Sequence, residues 1–416
     1  MSNTYCPLPW IHLGTHPHGG VTPCCISDMT AGLNRARSLN EDGSSKQFYN
    51  LNEHSIDTHM NSDYYKAIRL DMLEGRKPRA CMRCYEEEHN GIRSKRQWEA
   101  SQYPSKDHRW ASDATSADGY VHTDLSFVEL RLGNTCNVQC RTCNPASSSK
   151  WRRDYEEVVE KLEFVNDGYT WLDHKKDFKW PEDSQFYEDL FNSAPNMEVL
   201  YINGGEPTLI KAHWAYIRRL VDSGRSKNII LWYNVNMTNI PDYAVELWSQ
   251  FKECRVCASI DDIGARNHLI RWPTMWADVR DNLNTILAVP ALTVRITQTV
   301  SAYNYLYLSE FHEWAPAPVD MNYVYDPVFL GPQVLPIAVR QAAHQKLRAA
   351  WGNEERLTDC LNRYNNNEWD SELWRQFCVY NDLLDEQRKS PRLWREVLHE
   401  VIEICDANGI QHRFDG

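Results

Sequence analysis

LRLGNTCNVQCRTCNP, Leu130 to Pro145, sets three cysteines in C-x3-C-x2-C spacing: Cys136, Cys140 and Cys143. The run Phe127–Leu132 reads as a β-strand, so the cysteine loop follows directly from a strand end. Thiolates are soft ligands suited to zinc or iron–sulfur clusters. A closed structural zinc site takes four ligands, and a cube held by protein alone also takes four cysteines. Three cysteines leave one corner of such a site unfilled.

Working outward, short runs rich in β-branched and aromatic residues recur, each followed by a polar turn. They are Phe127–Leu132, Val199–Ile202, Ile229–Val235, Val256–Ile260, Val294–Val300 and Asn322–Val328. Helical patterns separate several of them, as at Ala212–Val221 and Met275–Leu287, and Trp151–Asp189 reads as a charged helical insert. Strands alternating with helices predict parallel βα units. In βα barrels the active site gathers at the C-terminal ends of the strands, which is where the cysteine loop falls. After about residue 331 the apolar spacing is helical, over Pro336–Trp351, Ser371–Asp385 and Pro391–Asn408.

Residues 1–122 differ in texture. They are rich in Gly, Pro and polar clusters, with a periodic run only near Tyr64–Leu73, and they hold five cysteines. A loop-rich module held by metal is expected there. The chain therefore reads as 1–122, a cysteine-rich module; 123–330, an α/β core of parallel βα units; and 331–416, a helical extension.

The 416 residues suffice for two or three domains at roughly 100–200 residues each. A net charge of −12 argues against a nucleic-acid partner. The opening MSNTYCPLPW has no signal-peptide pattern, and no apolar run has membrane-span length, so a cytoplasmic protein with no membrane partner is expected. Thirteen cysteines in that compartment should be thiols or metal ligands.

C-x3-C-x2-C after the first strand resembles the radical S-adenosylmethionine superfamily. The resemblance implies a partial (β/α)6 TIM-like barrel. It also implies a 4Fe–4S cluster on Cys136, Cys140 and Cys143, whose fourth iron takes the amino and carboxylate groups of S-adenosylmethionine. Reductive cleavage of that cofactor would yield a 5′-deoxyadenosyl radical that abstracts hydrogen from a substrate. Further motifs resemble the family in order. Gly204, Gly205, Glu206 and Pro207 match the GGEP turn that meets the cofactor amino group. Asn236 and Thr238 lie where the family has Thr-Asn-Gly, with Ile240 in place of the glycine. Ser259, Asp261 and Arg271 match the strand and arginine that hold the cofactor carboxylate, with Asp262 in place of a glycine. Val300 and Asn304 fall beside the adenine in that comparison. Thr142 stands where the family often carries an aromatic residue, so adenine stacking needs another surface.

The N-terminal cysteines resemble the twitch module, a short form of the SPASM module: a cysteine, then G-x4-C, then C-x2-C. Cys6, Cys24, Cys81 and Cys84 fit that wording and would hold a second, auxiliary 4Fe–4S cluster. Cys25 is the neighbouring alternative to Cys24, and zinc is the alternative metal. The family places this module after the barrel; here it comes first.

The resemblance implies an oxidoreductase acting on a peptide or protein side chain by oxidation or cross-linking, with an electron donor such as flavodoxin or ferredoxin. Glu129, Arg131, Asn203, Gln298, Tyr323 and Tyr325 are the candidates for the substrate-lining interior. A small metabolite or nucleotide as substrate, and a zinc-stabilised binding protein without enzyme activity, are the competing readings. Cys254 and Cys257 lie on a predicted strand at odd spacing and read as core, as do Cys360, Cys378 and Cys405 in the helical tail. His12, His16 and His18 read as exposed loop histidines, and Arg93–Arg96 and Lys150–Arg153 as solvated basic faces.

Overall fold

A computed structural model describes residues 3–27, 34–159, 162–163, 178–352, 360, 363–364 and 368–414. The chain forms two compact units. The first is Met1–Thr135, Gly168–Tyr233 and Asp242–Arg255; the second is Cys136–Asp167, Asn234–Pro241 and Val256–Gly416. In chain order the strands are β1 (His12–Thr15), β2 (Val21–Thr22), β3 (Arg37–Leu39), β4 (Ser45–Phe48), β5 (Phe127–Leu132), β6 (Val199–Gly204), β7 (Ile230–Val235), β8 (Glu253–Ser259), β9 (Leu292–Val300) and β10 (Val319–Tyr323). β3 and β4 form a separate antiparallel hairpin.

In the first unit the strand order is β7-β6-β5-β1-β2. β5, β6 and β7 are parallel, with Glu129 opposite Tyr201 and Arg131 opposite Asn203. β1 also runs parallel to β5, with His12 opposite Phe127 and Gly14 opposite Glu129, while β2 turns back antiparallel on β1. The alternation sorts the side chains by face. Val128, Leu130, Leu132, Leu200, Ile202, Leu231 and Tyr233 are buried. The helix Lys211–Asp222 packs there, stacking Trp214 on Tyr233 with ring centroids 6.0 Å apart. The opposite face carries Glu129, Arg131, Tyr201, Asn203 and Trp232, a polar and mostly half-buried surface.

The N-terminal residues are more helical than their sequence suggests. Helices span Asp63–Leu73, Met82–His89, Lys95–Gln102 and His108–Ala114. Ser62, Ser94 and Asp107 each accept a backbone N–H at a helix start, and Ser94 with Gln97 completes a reciprocal capping box. The expectation of exposed histidines is corrected: His12 and His16 are buried on or beside β1, and His18 is half-buried. The Arg93–Arg96 run is likewise not a plain solvated face. Arg96 is buried, donating to Glu88 and to the Tyr5 carbonyl.

In the second unit β9 lies between β10 and β8, parallel to β10. The core is a large cluster that includes Val300, Tyr303, Tyr305, Leu335, Trp374, Phe377 and Trp394. Helices Ile337–Trp351 and Ser371–Arg388 form nearly as expected. The expected helix Pro391–Asn408 is instead two, Trp394–Val397 and His399–Ala407, broken at Leu398. Asp385 accepts the backbone N–H of Trp394, which starts the chain afresh there. Part of the Trp151–Asp189 insert lies outside the described residues; the helix Arg152–Glu157 lies within it, and the helix Ser184–Ser193 begins in it and runs past its end. Among the described residues, no helix is long and apolar enough to cross a membrane.

Candidate functional site

The first unit contains the Gly204–Pro207 turn, built against the end of β5. The amide of Gly205 donates to Gly133 O at 3.2 Å, and that of Glu206 to Thr135 O at 2.8 Å. Neither glycine is replaceable by a larger residue without movement. A Cβ at Gly204, whose φ is +126°, would stand 2.5 Å from Leu132 N. One at Gly205 would stand 2.2 Å from Thr135 O. Backbone therefore approaches backbone at the residue that precedes Cys136. Glu206 is buried and accepts from the Thr208 amide and hydroxyl at 3.1 and 2.7 Å, which caps its own turn.

The second unit contains the three cysteines. Cys136, Val138 and Cys140 form a buried cluster with Cys143 packed against it. The segment Ile270–Trp272 straps this loop in place: Arg141 N donates to Ile270 O at 2.7 Å and Gln139 N to Trp272 O at 2.5 Å. Trp151 Nε1 donates to Cys140 O at 2.8 Å, and Ser148 Oγ to Val138 O at 2.7 Å. The Arg141 side chain is fully buried and donates to Leu269 O, Asn381 Oδ1 and Asp385.

Between the ends of that strap sits Arg271. Its guanidinium donates to Asp261 Oδ2 at 3.0 Å, and its Nε is buried with no hydrogen-bond partner. Burial works against the Arg271 charge, but Cys140, Asp261 and Cys136 more than offset it and hold its pKa above the ordinary guanidinium value. Burial also pushes up the Cys140 and Cys143 thiols, and at Cys143 the neighbouring Cys140 and Cys136 add to the effect. Crowded thiols resist ionisation until a cation shares them. Three thiols beside a cation with an unspent N–H fit an iron–sulfur group whose open iron carries an anionic ligand.

Asp261 is itself fixed on every side. Its Oδ1 accepts Thr299 N at 2.7 Å, and its carbonyl accepts Gln298 Nε2 and Asn304 Nδ2 at 3.0 and 2.8 Å. Gln298 and Asn304 are fully buried. Asn304 thus orients Asp261, and Val300 belongs to the core, so neither stands on an open surface. Asn236 and Thr238 bond to each other and to the cysteine loop. Asn236 Nδ2 donates to Asn137 Oδ1, and Asn137 Nδ2 to Thr238 Oγ1, both at 2.8 Å. Met237 between them has φ +62°, a left-handed conformation uncommon for such a residue. Ser259 is half-buried at the end of β8, in phase with Cys257.

Of the six substrate candidates, Glu129, Arg131 and Asn203 share the polar face of the first unit. Gln298 and Tyr323 are corrected. Gln298 is in phase with Ile296 and Val300 on the buried side of β9, where it also faces His312 at 3.2 Å. Tyr323, opposite Val300, packs against the same core with its hydroxyl 3.2 Å from Cys360 Sγ. Tyr325 lies past the strand, 68% exposed, and accepts from Arg363. Cys254 and Cys257 take opposite faces of β8, and Cys360, Cys378 and Cys405 are core residues.

His12, expected as an exposed loop histidine, stands next to Glu129. His12 Nδ1 lies 3.0 Å from Pro23 O, which only accepts, so the ring proton sits on Nδ1. Nε2 then turns a lone pair toward Glu129 Oε2 at 3.8 Å and has no hydrogen-bond partner. The ring lies over Gly14, where a Cβ would meet it at 2.8 Å. Burial lowers the His12 pKa to about 4.

The remaining cysteines lie in the first unit. Cys6, Cys24, Cys81 and Cys84 line one cavity, with Leu8, Pro9 and Met72 among its walls. Cys25 is not among its lining residues. Burial raises the Cys6, Cys81 and Cys84 thiols, Cys81 to about 12. The adjacent thiols of Cys24 and Cys25 share a hydrogen bond that raises Cys24 and lowers Cys25 to about 7. Four thiols from three separate segments suit an iron–sulfur cube by donor chemistry. Among the described residues, no three His, Cys, Asp or Glu side chains converge as ligands of a single ion would. A cube differs from a single ion in offering each thiolate its own iron.

Among solved structures, native anSMEcpe with bound AdoMet is 14% identical to this chain, covering 67% of this chain and 60% of that one, with a TM-score of 0.34. SuiB of Streptococcus suis bound to S-adenosylmethionine is 12% identical, covering 76% and 71%, with a TM-score of 0.31. This chain thus spans about 60% of the length of anSMEcpe. No curated protein matches it. A family model does match, over residues 6–85, and so takes in Cys6, Cys24, Cys81 and Cys84: that of SPASM, an iron–sulfur cluster-binding domain.

Proposed function

We propose that this chain is a radical S-adenosylmethionine enzyme that modifies a peptide or protein side chain. One observation carries the reading: three crowded thiols, two of them buried, beside an arginine whose buried Nε has no partner. Cys136, Cys140 and Cys143 would hold a 4Fe–4S cluster, and Arg271 would receive the cofactor carboxylate. Together, such a cluster and S-adenosylmethionine supply one-electron cleavage of a C–S bond and a carbon radical that removes hydrogen from a substrate C–H bond.

The chain's own residues have distinct tasks. Asp261 aims Arg271, and Asn304 and Gln298 hold Asp261 in turn. Asn137, Asn236 and Thr238 fix the cysteine loop against the end of β7. The role of the Gly204–Pro207 turn toward the cofactor amino group rests on the resemblance. Glu129, Arg131 and Asn203 line the face on which a substrate would lie, with His12 behind Glu129. Cys6, Cys24, Cys81 and Cys84 would hold an auxiliary cluster, a reading supported by the SPASM match. The peptide substrate class rests on the resemblance to twitch- and SPASM-bearing enzymes. An electron donor such as flavodoxin or ferredoxin would serve the barrel cluster in the reducing cytoplasm.

Protein purified and reconstituted without oxygen should carry about eight irons with matching sulfide, and with dithionite and S-adenosylmethionine it should release 5′-deoxyadenosine. One or two zincs without sulfide would instead make it a metal-stabilised binding protein. A copurified nucleotide or metabolite would redirect the substrate class.

A further inference from the structure

The second unit contains a cavity of about 440 Å³, a size typical of sites for small ligands or single side chains. It is formed by the helix Gly264–Ile270, the start of the helix Trp276–Leu287 and the turn Ser390–Arg392. Its walls are Leu269, Trp272, Met275 and Trp276, and Gly264 and Ala265 leave room between them. Met275 is 61% exposed. An exposed thioether beside two indoles is a surface that rewards an aromatic guest, through edge contacts and sulfur–ring contacts. His268 stands edge-on to Trp272 with ring centroids 4.9 Å apart. Its Nδ1 donates to Thr274 O at 2.6 Å, leaving Nε2 as an acceptor.

The charges in the lining have one sign. Arg141 is committed to Leu269 O, Asn381 and Asp385. Arg392 is exposed and, among the described residues, has no acidic partner. No Asp or Glu lines the cavity. One free guanidinium matches one carboxylate, whereas a polyphosphate calls for several cations.

We infer that this cavity anchors the peptide substrate by an aromatic side chain, with an adjacent acidic residue of the peptide paired to Arg392. The inference rests on the peptide reading above and adds to it a recognition motif on the substrate. The anchor also adjoins the strap Ile270–Trp272 that holds the cysteine loop.

Calorimetric titration of the holoenzyme with N-acetyl-Phe-Asp-amide and N-acetyl-Phe-Asn-amide tests it. The Asp probe should bind about tenfold more tightly at low salt. Arg392→Gln should erase that preference, and Met275→Glu should reverse it. Ala265→Trp, at an exposed helix position, should fill the cavity and weaken both probes. Peptide-independent 5′-deoxyadenosine formation should stay at the wild-type rate in all three variants. Equal binding of the two probes, a preference that survives Arg392→Gln, or binding indifferent to Ala265→Trp would overturn the anchor. So would tighter binding of 3-phenylpropanoate, which has the ring and carboxylate without the peptide. Wild-type protein that forms 5′-deoxyadenosine but binds neither probe loses the anchor alone. Protein that binds the Asp probe and forms no 5′-deoxyadenosine keeps the anchor and loses the radical reading.

Discussion

The two cysteine sites gather their thiols in different ways and treat the cations around them oppositely. The three-cysteine loop is one short segment, tied down by backbone bonds to Ile270 and Trp272. Its cation, Arg271, keeps one N–H unspent. The four-cysteine site draws on three segments far apart in sequence. Its nearby cations are already committed, Lys95 to Glu99 and Arg96 to Glu88. A site that closes on itself has no need of a spare donor. A site that must receive an anionic ligand does, because a buried N–H left unpaired costs about 1–3 kcal/mol unless something arrives to take it.

The sharpest way to break this contrast is to remove one thiol from each site. Cys140→Ala should abolish 5′-deoxyadenosine formation and cost about half of the bound iron, leaving the auxiliary cluster's absorbance in place. Cys24→Ser should also cost about half of the iron but spare cofactor cleavage in the absence of substrate, while Cys25→Ser keeps the full iron complement. If Cys25→Ser loses iron and Cys24→Ser does not, the ligand assignment is reversed.

A smaller effect is expected at the unspent donor. Arg271→Gln should weaken S-adenosylmethionine binding about 10- to 100-fold, the range for a hydrogen bond to a charged group, with iron content unchanged. Affinity equal to wild type would show that the orphan Nε is not the anion receptor. Gly205→Ala tests the neighbouring turn, where the added carbon meets Thr135 O. It should lower stability by about 1–3 kcal/mol and reduce cofactor affinity in step, read by thermal melting and equilibrium binding.

The mildest prediction concerns acid. Burial lowers the His213 pKa from 6.5 to about 4, and both ring nitrogens are engaged, with Ile210 O and the Tyr233 hydroxyl. The folded state therefore keeps this ring neutral while the unfolded chain takes up a proton. The contribution is complete above pH 6.5 and is lost as the pH falls toward 4, worth about 3 kcal/mol in total. His213→Gln should flatten the fall in melting temperature over that window. An unchanged slope would assign the acid sensitivity to other buried histidines such as His12, His16 and His59.

Much of this was legible in the sequence because period-2 runs and a tight cysteine spacing are local signals. β5, β6, β7 and β9 fall within a few residues of the runs that predicted them, while β10 begins and ends earlier than its run. Phase was legible too: Gln298 alternates with the apolar Ile296 and Val300, which places it on their face. β1 was illegible for a physical reason. HLGT is four residues long, is buried throughout, and owes its strand conformation to pairing with residues more than a hundred positions away. The helices of the N-terminal module are short and polar, so capping serines mark them better than hydrophobic spacing does. His12 looked like a loop residue because nothing local reveals that Gly14 makes room for its ring.

The parallel pairing of β1 with β5 has a consequence for how the protein can be cut. Parallel neighbours require a crossover connection, and here the crossover runs from His16 to Ser126 and carries the cysteine-rich module except its first fifteen residues, Cys6 among them. The module is thus threaded into the sheet from both its ends. Clipping the chain near residue 122 would strip β1 from β5 and bare the edge of the strand that leads into the three cysteines. An exposed edge of that kind invites pairing with another chain. The two cysteine sites would then be inseparable by truncation, although substitution can silence either one.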